Sequence, residues 1–265
     1  MAASEKGTAL ITDGSTEIGM GYADRLARRG HDLILVCRHR GQLDRLAGRL
    51  GDETGRSVRI IDSDLTNGLE LARIEEILCT DKSITVLVNN AGMVAVGLLL
   101  DTDINAAERM VELNITTLVR LVCSVAPAFI RQGGGAIINV ASASGPAPDG
   151  LSPIQGGVGA FLLAFSLSLQ KELAGSNIHV QVVLPSGPAT IARHSGRRVE
   201  QGVGPTKDAG AVVDAAFAGF DRGEFVTFPG LPEITDLNAY EAMRQTMISQ
   251  LLLGFPTREP AQARA

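Results

Sequence analysis

The sequence predicts a doubly wound α/β domain, in which one parallel sheet of seven strands carries helices on both faces. Short runs rich in Val, Ile and Leu alternate along the chain with longer segments of helical periodicity. Most runs are apolar at consecutive positions, which is typical of strands buried on both faces. Glycine-containing turns separate the two kinds of segment. This alternation favours a parallel sheet whose strands are connected through helices.

Each element is predicted from its own local pattern. Aliphatic and β-branched runs predict strands, whereas apolar residues three and four apart, ended by Gly or a polar turn, predict helices. Strands are expected at 8–12, 32–37, 58–61, 85–88, 136–140, 179–184 and 225–228. Helices are expected at 18–29, 42–50, 69–78, 105–113, 114–131, 153–173 and 209–220, with a break or bend near Pro127.

Length and composition bound the kind of protein. The chain has 265 residues, of which 45% are hydrophobic, so one domain over 1–265 is expected. A net charge of −5 argues against nucleic acid as a partner, because phosphate binding needs a basic surface. The chain lacks the roughly 18 uninterrupted apolar residues of a membrane span. A soluble, cytoplasmic protein without a membrane partner is therefore expected.

Two irregular segments and three cysteines complete this outline. The segment 186–207 is rich in Gly, Pro and Arg and has little periodicity, so it is expected to be a lid loop over the site. The end of the chain, 253–265, is polar and is expected to be frayed. The three cysteines are widely spaced and suit reduced packing residues, so no metal site is expected.

A glycine-containing turn joins the first strand to the first helix, and residues 12–19 read TDGSTEIG. Strand, turn and helix in this order are typical of a dinucleotide-binding unit. Glycine there lets the backbone approach a pyrophosphate, which the N-terminus of the helix attracts. The sequence therefore predicts cofactor contacts at Gly14, Ser15, Ile18 and Gly19.

Three further motifs follow in order along the chain: NNAG at 89–92 after the fourth strand, Asn114 in a helix, and Ser142 after the fifth strand. With these motifs the chain resembles the short-chain dehydrogenase/reductase family over nearly all of its length. The resemblance implies a Rossmann-type sheet in the order 3-2-1-4-5-6-7 and NADP(H) as the cofactor. It also implies a small-molecule substrate and assembly as a homodimer or homotetramer.

The cofactor half of the resemblance is altered at the phosphate turn. The family's turn reads TGxxxGxG, and here Asp13 and Glu17 replace its first two glycines. A carboxylate at Glu17 would face two phosphates, and like charges about 4 Å apart repel by about 1 kcal/mol in water and about 4 kcal/mol at a surface-like dielectric. NADP(H) binding is thus expected to be weakened or lost. The open alternative is that Glu17 only complements the helix dipole.

Other cofactor positions of the family are matched in this chain. Arg38 follows the second strand, where the family binds the 2′-phosphate of NADP(H). The remaining matched positions are Asp64 and Leu65 for adenine, and Asn90, Ala91 and Gly92 at the end of the central strand.

The catalytic half lacks the family's two titrating groups. The family places a tyrosine thirteen residues after its serine and a lysine four residues further on. Counted from Ser142, those positions hold Gln155 and Gly159. An amide does not titrate in the useful range and glycine has no side chain, so phenol-based proton transfer is not expected. Asn114 matches the asparagine that bends its helix and anchors a water relay to the lysine.

Asp149 and His194 lie in loops near this site and are the candidates for a replacement acid or base. His194 is the better of the two because its ordinary pKa is near 6.5, although an exposed loop histidine fits the pattern as well. Three functions are compatible with these residues. They are a repurposed enzyme doing non-redox chemistry such as cyclisation, isomerisation or elimination, an NADP(H)-dependent reductase acting on an activated acceptor such as an iminium, and a non-catalytic binding or partner subunit.

Overall fold

The computed structural model describes residues 6–38, 40–92, 100, 103–142, 153–185, 209–229 and 235–252. The described residues fall into two compact units. The first lies within Met1–Gly230 and holds the sheet, and the second lies within Leu231–Ala265 and holds one helix. The predicted lid at 186–207 and the predicted frayed end at 253–265 lie outside the described residues.

Strands and helices alternate along the first unit. The strands are β1 (Thr8–Thr12), β2 (Asp32–Cys37), β3 (Val58–Asp62), β4 (Ile84–Asn89), β5 (Gly135–Val140), β6 (Ile178–Val183) and β7 (Val226–Thr227). The helices are α1 (Glu17–Arg28), α2 (Leu43–Thr54), α3 (Gly68–Thr80), α4 (Ile104–Val111), α5 (Leu118–Gln132), α6 (Pro153–Glu172) and α7 (Ala209–Asp221). A π-helical turn, Glu112–Thr117, joins α4 to α5. The second unit holds α8 (Thr235–Leu252).

All seven strands form one parallel sheet in the order β3-β2-β1-β4-β5-β6-β7. The predicted fold class and strand order are therefore confirmed. The strand order reverses between β1 and β4. From β1, the strands β2 and β3 extend in one direction along the sheet, and β4 to β7 extend in the other. In open sheets of this kind, ligands bind outside the carboxyl ends of the strands at such a reversal.

The sheet is covered on both faces, which explains its apolar strands. Leu10, Leu87 and Ile137 belong to one core cluster, together with residues of α3, α5 and α6. Their sequence neighbours Ile11, Val88 and Ile138 belong to a second cluster with residues of α1, α2 and α7. Successive side chains of a strand point to opposite faces, so both must be apolar for both helical layers to pack.

The helices at 104–132 differ from the prediction. A break or bend was expected near Pro127, with separate helices at 105–113 and 114–131. The expected break is wrong, because α5 continues through Pro127, and the helical irregularity is the π-helical turn Glu112–Thr117. The buried side chains of Val125, Ala126 and Phe129 hold α5 against the core on either side of the proline. Packing therefore outweighs the one helical hydrogen bond that proline cannot make.

Two helical segments, Ile104–Gln132 and Pro153–Glu172, are long and apolar enough to cross a membrane by length and composition alone. Both contribute buried side chains, such as Leu121 and Leu162, to the core cluster on one face of the sheet. Core helices of an α/β fold have the same length and composition.

Candidate functional site

Hydrogen bonds clamp the carboxyl ends of β1 and β4 together. The amide of Asn90 donates to the carbonyl oxygens of Thr12 and Asp13, at 3.2 and 3.1 Å, and to Oγ1 of Thr16 at 2.9 Å. The hydroxyl of Thr12 accepts from the backbone N–H groups of Asn90 and Ala91, at 2.9 and 2.8 Å. Asn90 and Ala91 thus lie beside the phosphate turn, and their side-chain and backbone donors fix its shape.

The phosphate turn uses a left-handed residue that is not glycine. Asp13 has a φ of 48°, a conformation that Asp and Asn tolerate better than most residues. Gly14 donates its N–H to the carbonyl of Val36 at 2.9 Å, and Gly19 donates to Oγ1 of Thr16 at 3.1 Å. A Cβ atom on Gly19 would lie 2.9 Å from Cα of Gly14, so this glycine is needed for the close approach.

Glu17 is the first residue of α1 and is exposed, while Thr16 caps the helix. An acid in the first turn interacts favourably with the positive end of the helix dipole. Ser15 donates its hydroxyl to the carboxylate of Asp13 at 3.3 Å, and Ile18 packs against one core cluster. The predicted residues Gly14, Ser15 and Gly19 therefore lie in and around one turn, together with Asp13 and with Glu17 at the start of α1.

A shallow, open cleft lies next to this turn at the carboxyl ends of β1, β2 and β3. Its polar side chains are Asp13, Arg38, Ser63, Asp64 and Thr66. Its apolar lining consists of Val36, Cys37, Leu65, Ala91 and Leu113. Arg38, Asp64, Leu65 and Ala91, all predicted as cofactor contacts, thus share one cleft.

The two carboxylates that line the cleft, Asp13 and Asp64, have pKa values shifted in opposite directions. Burial raises the pKa of Asp13, against the opposing effects of the Ser15 hydrogen bond and of Arg38. Hydrogen bonds from the backbone and hydroxyl of Thr66, at 3.0 and 2.8 Å, lower the pKa of Asp64. Arg38 lies close enough to both carboxylates to lower their pKa values. The Asp64 carboxylate is therefore held by hydrogen bonds within its own loop. The Asp13 carboxylate accepts one hydrogen bond, from Ser15, among the bonds described for it.

Ser63 is a site residue that the sequence analysis missed. Its side chain is buried, it lines the cleft, and its hydroxyl has no hydrogen-bond partner among the described residues. The oxygen itself is enclosed and not open to the cleft, and a buried hydroxyl left without a partner is energetically costly. A serine directly after a strand gives no signal in sequence, because its burial depends on the neighbouring elements.

The second part of the site lies at the carboxyl ends of β4 and β5. Asn114 lies in the π-helical turn and is buried, and a Cβ atom on Gly92 would be 2.8 Å from its Oδ1 atom. Ser142 follows β5 by two residues and is partly buried. Gln155 and Gly159 are both buried on α6, which contacts the π-helical turn. These positions therefore belong to segments at the carboxyl ends of β4 and β5 and to the helices beside them.

A chain of buried polar groups supports this second part. Asn89 donates its amide to Oδ1 of Asn139 at 2.9 Å, and Asn139 donates to the hydroxyl of Ser166 at 2.8 Å. Asn139 and Ser166 are fully buried. These bonds tie β4, β5 and α6 together beneath the site, and each group left unpaired would cost about 1–3 kcal/mol.

Two predicted acid–base candidates, Asp149 and His194, lie outside the described residues. Within the described ranges, no group of three or more His, Cys, Asp or Glu side chains could hold a metal ion. The described part of the site therefore offers hydroxyl and amide groups at its β5–α6 end, and charged groups only at its cleft.

The described residues match the adenosine end of a nicotinamide dinucleotide better than its nicotinamide end. The cleft suits an adenosine end in its chemistry, because it combines an apolar lining with the guanidinium of Arg38. The turn retains Gly19, but several of its N–H groups are bonded to Val36, Asp13 and Thr16. The opposite end has no amine at Gly159 and no phenol at Gln155 to hold a nicotinamide ribose.

A model of the family described as short chain dehydrogenase matches residues 7–200. This match covers most of the sheet and both parts of the site. The chain therefore belongs to the short chain dehydrogenase family.

Several curated relatives that the chain resembles carry the names of reductases or dehydrogenases. Human 17-beta-hydroxysteroid dehydrogenase type 3 is 32% identical over 185 residues, which are 69% of this chain and 59% of that protein. Bovine very-long-chain 3-oxoacyl-CoA reductase is 31% identical over 186 residues, with the same shares of 69% and 59%. The chain spans about three-fifths of the length of these curated relatives.

Two similar solved structures cover nearly the whole chain. The short-chain dehydrogenase from Sphingobium yanoikuyae in complex with NADPH is 40% identical, with 98% of this chain and 100% of that chain covered and a TM-score of 0.86. The bulky-bulky ketone specific alcohol dehydrogenase from Comamonas testosteroni is 38% identical, with 97% and 98% covered and a TM-score of 0.85. The NADPH complex supports a nucleotide cofactor site in this fold.

Proposed function

We propose that this chain is a repurposed enzyme of the short chain dehydrogenase family that performs non-redox chemistry on a small molecule. Cyclisation, isomerisation and elimination are the reactions that suit its pocket. The observation that carries the proposal is that Gln155 and Gly159 are buried on α6. Counted from Ser142, they fall at the spacing at which the family resemblance implies a tyrosine and a lysine. A neutral amide can orient a carbonyl through hydrogen bonds, but it cannot exchange a proton with an alkoxide near neutral pH.

The roles follow from the chemistry of each side chain. Ser142 and Gln155 orient the substrate, because a hydroxyl and an amide both donate and accept hydrogen bonds. Asn114 supports the same end of the pocket from the π-helical turn. An isomerisation or a cyclisation needs a proton removed from one atom of the substrate and one added at another, whereas an elimination needs a proton removed and one given to the leaving group. His194 or Asp149 performs that transfer in this proposal, and the ordinary pKa of His194 favours it near neutral pH.

The test compares the wild-type chain with a variant that restores the missing pair. Wild type is expected to oxidise no NADPH with a ketone bearing two bulky substituents. The double variant Gln155→Tyr/Gly159→Lys is expected to gain NADPH-dependent ketone reduction, measured by loss of NADPH absorbance. The matched control is Gln155→Tyr/Gly157→Lys, since Gly157 is on the same helix, is exposed and has open space around it. Circular dichroism checks that both variants fold.

NADPH-dependent ketone reduction by the wild-type chain would contradict the proposal, and this measurement on wild type alone does not depend on whether the variants fold. Once a substrate is found, the combined alanine variant of Ser142, Gln155, Asp149 and His194 should lose turnover. Unchanged turnover in that variant would contradict the assigned roles.

A second candidate is an NADP(H)-dependent reductase acting on an activated acceptor such as an iminium. Arg38 in the cleft and the NADPH-bound relative from Sphingobium yanoikuyae favour it. Bound NADPH would supply a hydride, and an acceptor that already carries positive charge needs no phenol to protonate it. Calorimetric titration with NADPH separates the two candidates, because absence of binding at about 1 mM would exclude the reductase.

A further inference from the structure

Two exposed cysteines lie on neighbouring helices of the sheet-containing unit. Cys79 is in α3 and Cys123 is in α5, and both are free thiols. The sequence suggests packing roles for all three cysteines, but only Cys37 is buried. An exposed thiol adds little to a hydrophobic core and is open to oxidants in solution. Packing therefore accounts for Cys37 and not for the other two.

The helices α3 and α5 pack side by side on one face of the sheet. Each leads to the amino end of the next parallel strand, so the two helices run in the same direction. On the inner side, Leu78 of α3 and Leu121 of α5 belong to one core cluster. On the outer side, the guanidinium of Arg120 donates to the carboxylate of Glu75, with Nη2 and Oε2 2.9 Å apart. This ion pair shows which turns of the two helices face each other.

The two cysteines lie one helical turn beyond this ion pair. Cys79 is four residues after Glu75 and Cys123 is three residues after Arg120, and residues at these spacings share one face of a helix. The thiol of Cys79 donates to the backbone carbonyl of Ser124 at 3.3 Å, so its sulfur already contacts the residue next to Cys123. A disulfide needs Cα atoms within about 7 Å of each other, and facing turns of helices packed about 8–10 Å apart reach that separation.

We infer that Cys79 and Cys123 form a dithiol that hydrogen peroxide converts to an intrachain disulfide between α3 and α5. One thiolate attacks the O–O bond of the peroxide and becomes a sulfenic acid, and water leaves. The second thiolate attacks that sulfur, the S–S bond forms, and a second water leaves. The two thiols thus lose two electrons and two protons, and one peroxide is reduced to two waters. The bond fixes α3 to α5 and does not depend on the reaction proposed for the β5–α6 end.

Peptide mapping by mass spectrometry tests the inference. Wild type is reduced with dithiothreitol, desalted, diluted to about 5 μM to disfavour bonds between chains, and treated with hydrogen peroxide at about pH 8. Remaining thiols are then blocked with N-ethylmaleimide. A peptide pair joined through Cys79 and Cys123 is expected as the main product, and dithiothreitol should release both thiols from it. The oxidised protein should melt about 5 °C or more above the reduced protein.

Two kinds of variant assign the bond to this pair. Cys79→Ser and Cys123→Ser should each abolish the joined peptide. The matched control is Cys123→Ser/Ile130→Cys, which keeps one thiol on each helix. Ile130 is 50% exposed, so the change is on the surface, and it lies two turns further along α5, about 10 Å from position 123. This control should form no intrachain bond to Cys79 and should show no rise in melting temperature.

Four results would overturn the inference. They are the absence of the joined peptide from peroxide-treated wild type, a main product that links two chains, equal yields of intrachain bond in wild type and in the displaced control, and an oxidised wild type that melts no higher than the reduced protein. The ketone assay tests the proposed function separately, because it measures NADPH oxidation and not the state of these thiols. Failure of either experiment therefore leaves the other interpretable.

Discussion

Asp13 gives the clearest single-residue prediction for stability. Burial raises its pKa above the value of 3.8 for an exposed aspartate. The folded state then holds the proton more tightly than the unfolded state. The contribution of Asp13 is therefore most favourable below 3.8 and is lost as the pH rises through the raised value. At about pH 7 the ionised carboxylate is destabilising, so Asp13→Asn is expected to raise the melting temperature.

The pH dependence separates this explanation from a simple packing effect. The gain in melting temperature for Asp13→Asn should shrink as the pH approaches the value at which Asp13 is protonated in the folded protein. Asp44→Asn is the comparison, because Asp44 is exposed and pairs with Arg40 at 2.9 Å, so its removal should not stabilise the protein. A gain for Asp13→Asn that is equal at all pH values would count against the buried-charge explanation.

At the residue scale, the sequence predicts positions that carry a local signal and misses those that depend on burial. Arg38 and Asp64 were predicted because they match cofactor positions of the family that the chain resembles, and both line the cleft. Ser63 and Asn139 were not predicted. Their importance comes from full or nearly full burial between several elements, and nothing in the neighbouring sequence reports that burial. Polar residues inside strands are ordinary in sequence and become informative only when their partners are known.

The junction of β1, the phosphate turn and α1 gives a prediction for an element. Gly19→Ala places a Cβ atom 2.9 Å from Cα of Gly14 and 3.0 Å from Nδ2 of Asn90. Backbone must move to admit it, so the variant should lose about 1–3 kcal/mol of unfolding free energy. Gly48→Ala is the matched control on α2, with nothing within 4 Å of the added atom. The control should gain about 1 kcal/mol from helix propensity.

Urea unfolding measures the free energy of unfolding of both variants. It is expected to fall in Gly19→Ala and to rise in Gly48→Ala. Equal effects for Gly19→Ala and Gly48→Ala would show that the turn tolerates the added methyl group. The Asn90 clamp would then be more adaptable than its three hydrogen bonds imply.

At the element scale, strands were predicted more accurately than the helical segment 104–132. The strand at 32–37 was predicted with the bounds that the structure has, because its apolar run ends sharply at polar residues. The π-helical turn Glu112–Thr117 was not predicted, since its residues suit an ordinary helix. The turn arises where α4 and α5 pack against other elements, and π-helical turns are frequently found at functional sites. The family resemblance implied a bend of the helix at Asn114, and the structure shows that the irregularity at this residue is a π-helical turn.

At the scale of the whole molecule, the pH dependence of the free energy of unfolding is the sum of contributions from titrating groups in different elements. Burial lowers the pKa of His31, with further contributions from Lys6 and Arg29, and burial lowers the pKa of His179, which packs on the ring of Phe220 at 4.5 Å. The folded state disfavours the protonated form of both. Their contribution is thus fully present above about pH 6.5 and is lost as the pH falls through their folded pKa values.

The carboxylates with lowered pKa values act in a different window. Asp64, Asp214 and Asp221 gain hydrogen bonds in the folded state, which lower their pKa values. Their stabilising effect is present above about pH 4 and is lost only at more acidic pH. The loss of stability between about pH 7 and about pH 5 should therefore come mainly from histidine, with Asp13 acting in the opposite direction.

The final prediction isolates the histidine contribution. In the Asp13→Asn background, the free energy of unfolding in urea is measured at about pH 7.5, 6.5 and 5.5. It should fall with decreasing pH, and the fall should be smaller in the variant that also carries His31→Gln and His179→Gln. The readout is the slope against pH, so a constant loss from altered packing does not affect it. An equal slope with and without the two histidines would assign the acid sensitivity to groups elsewhere in the chain.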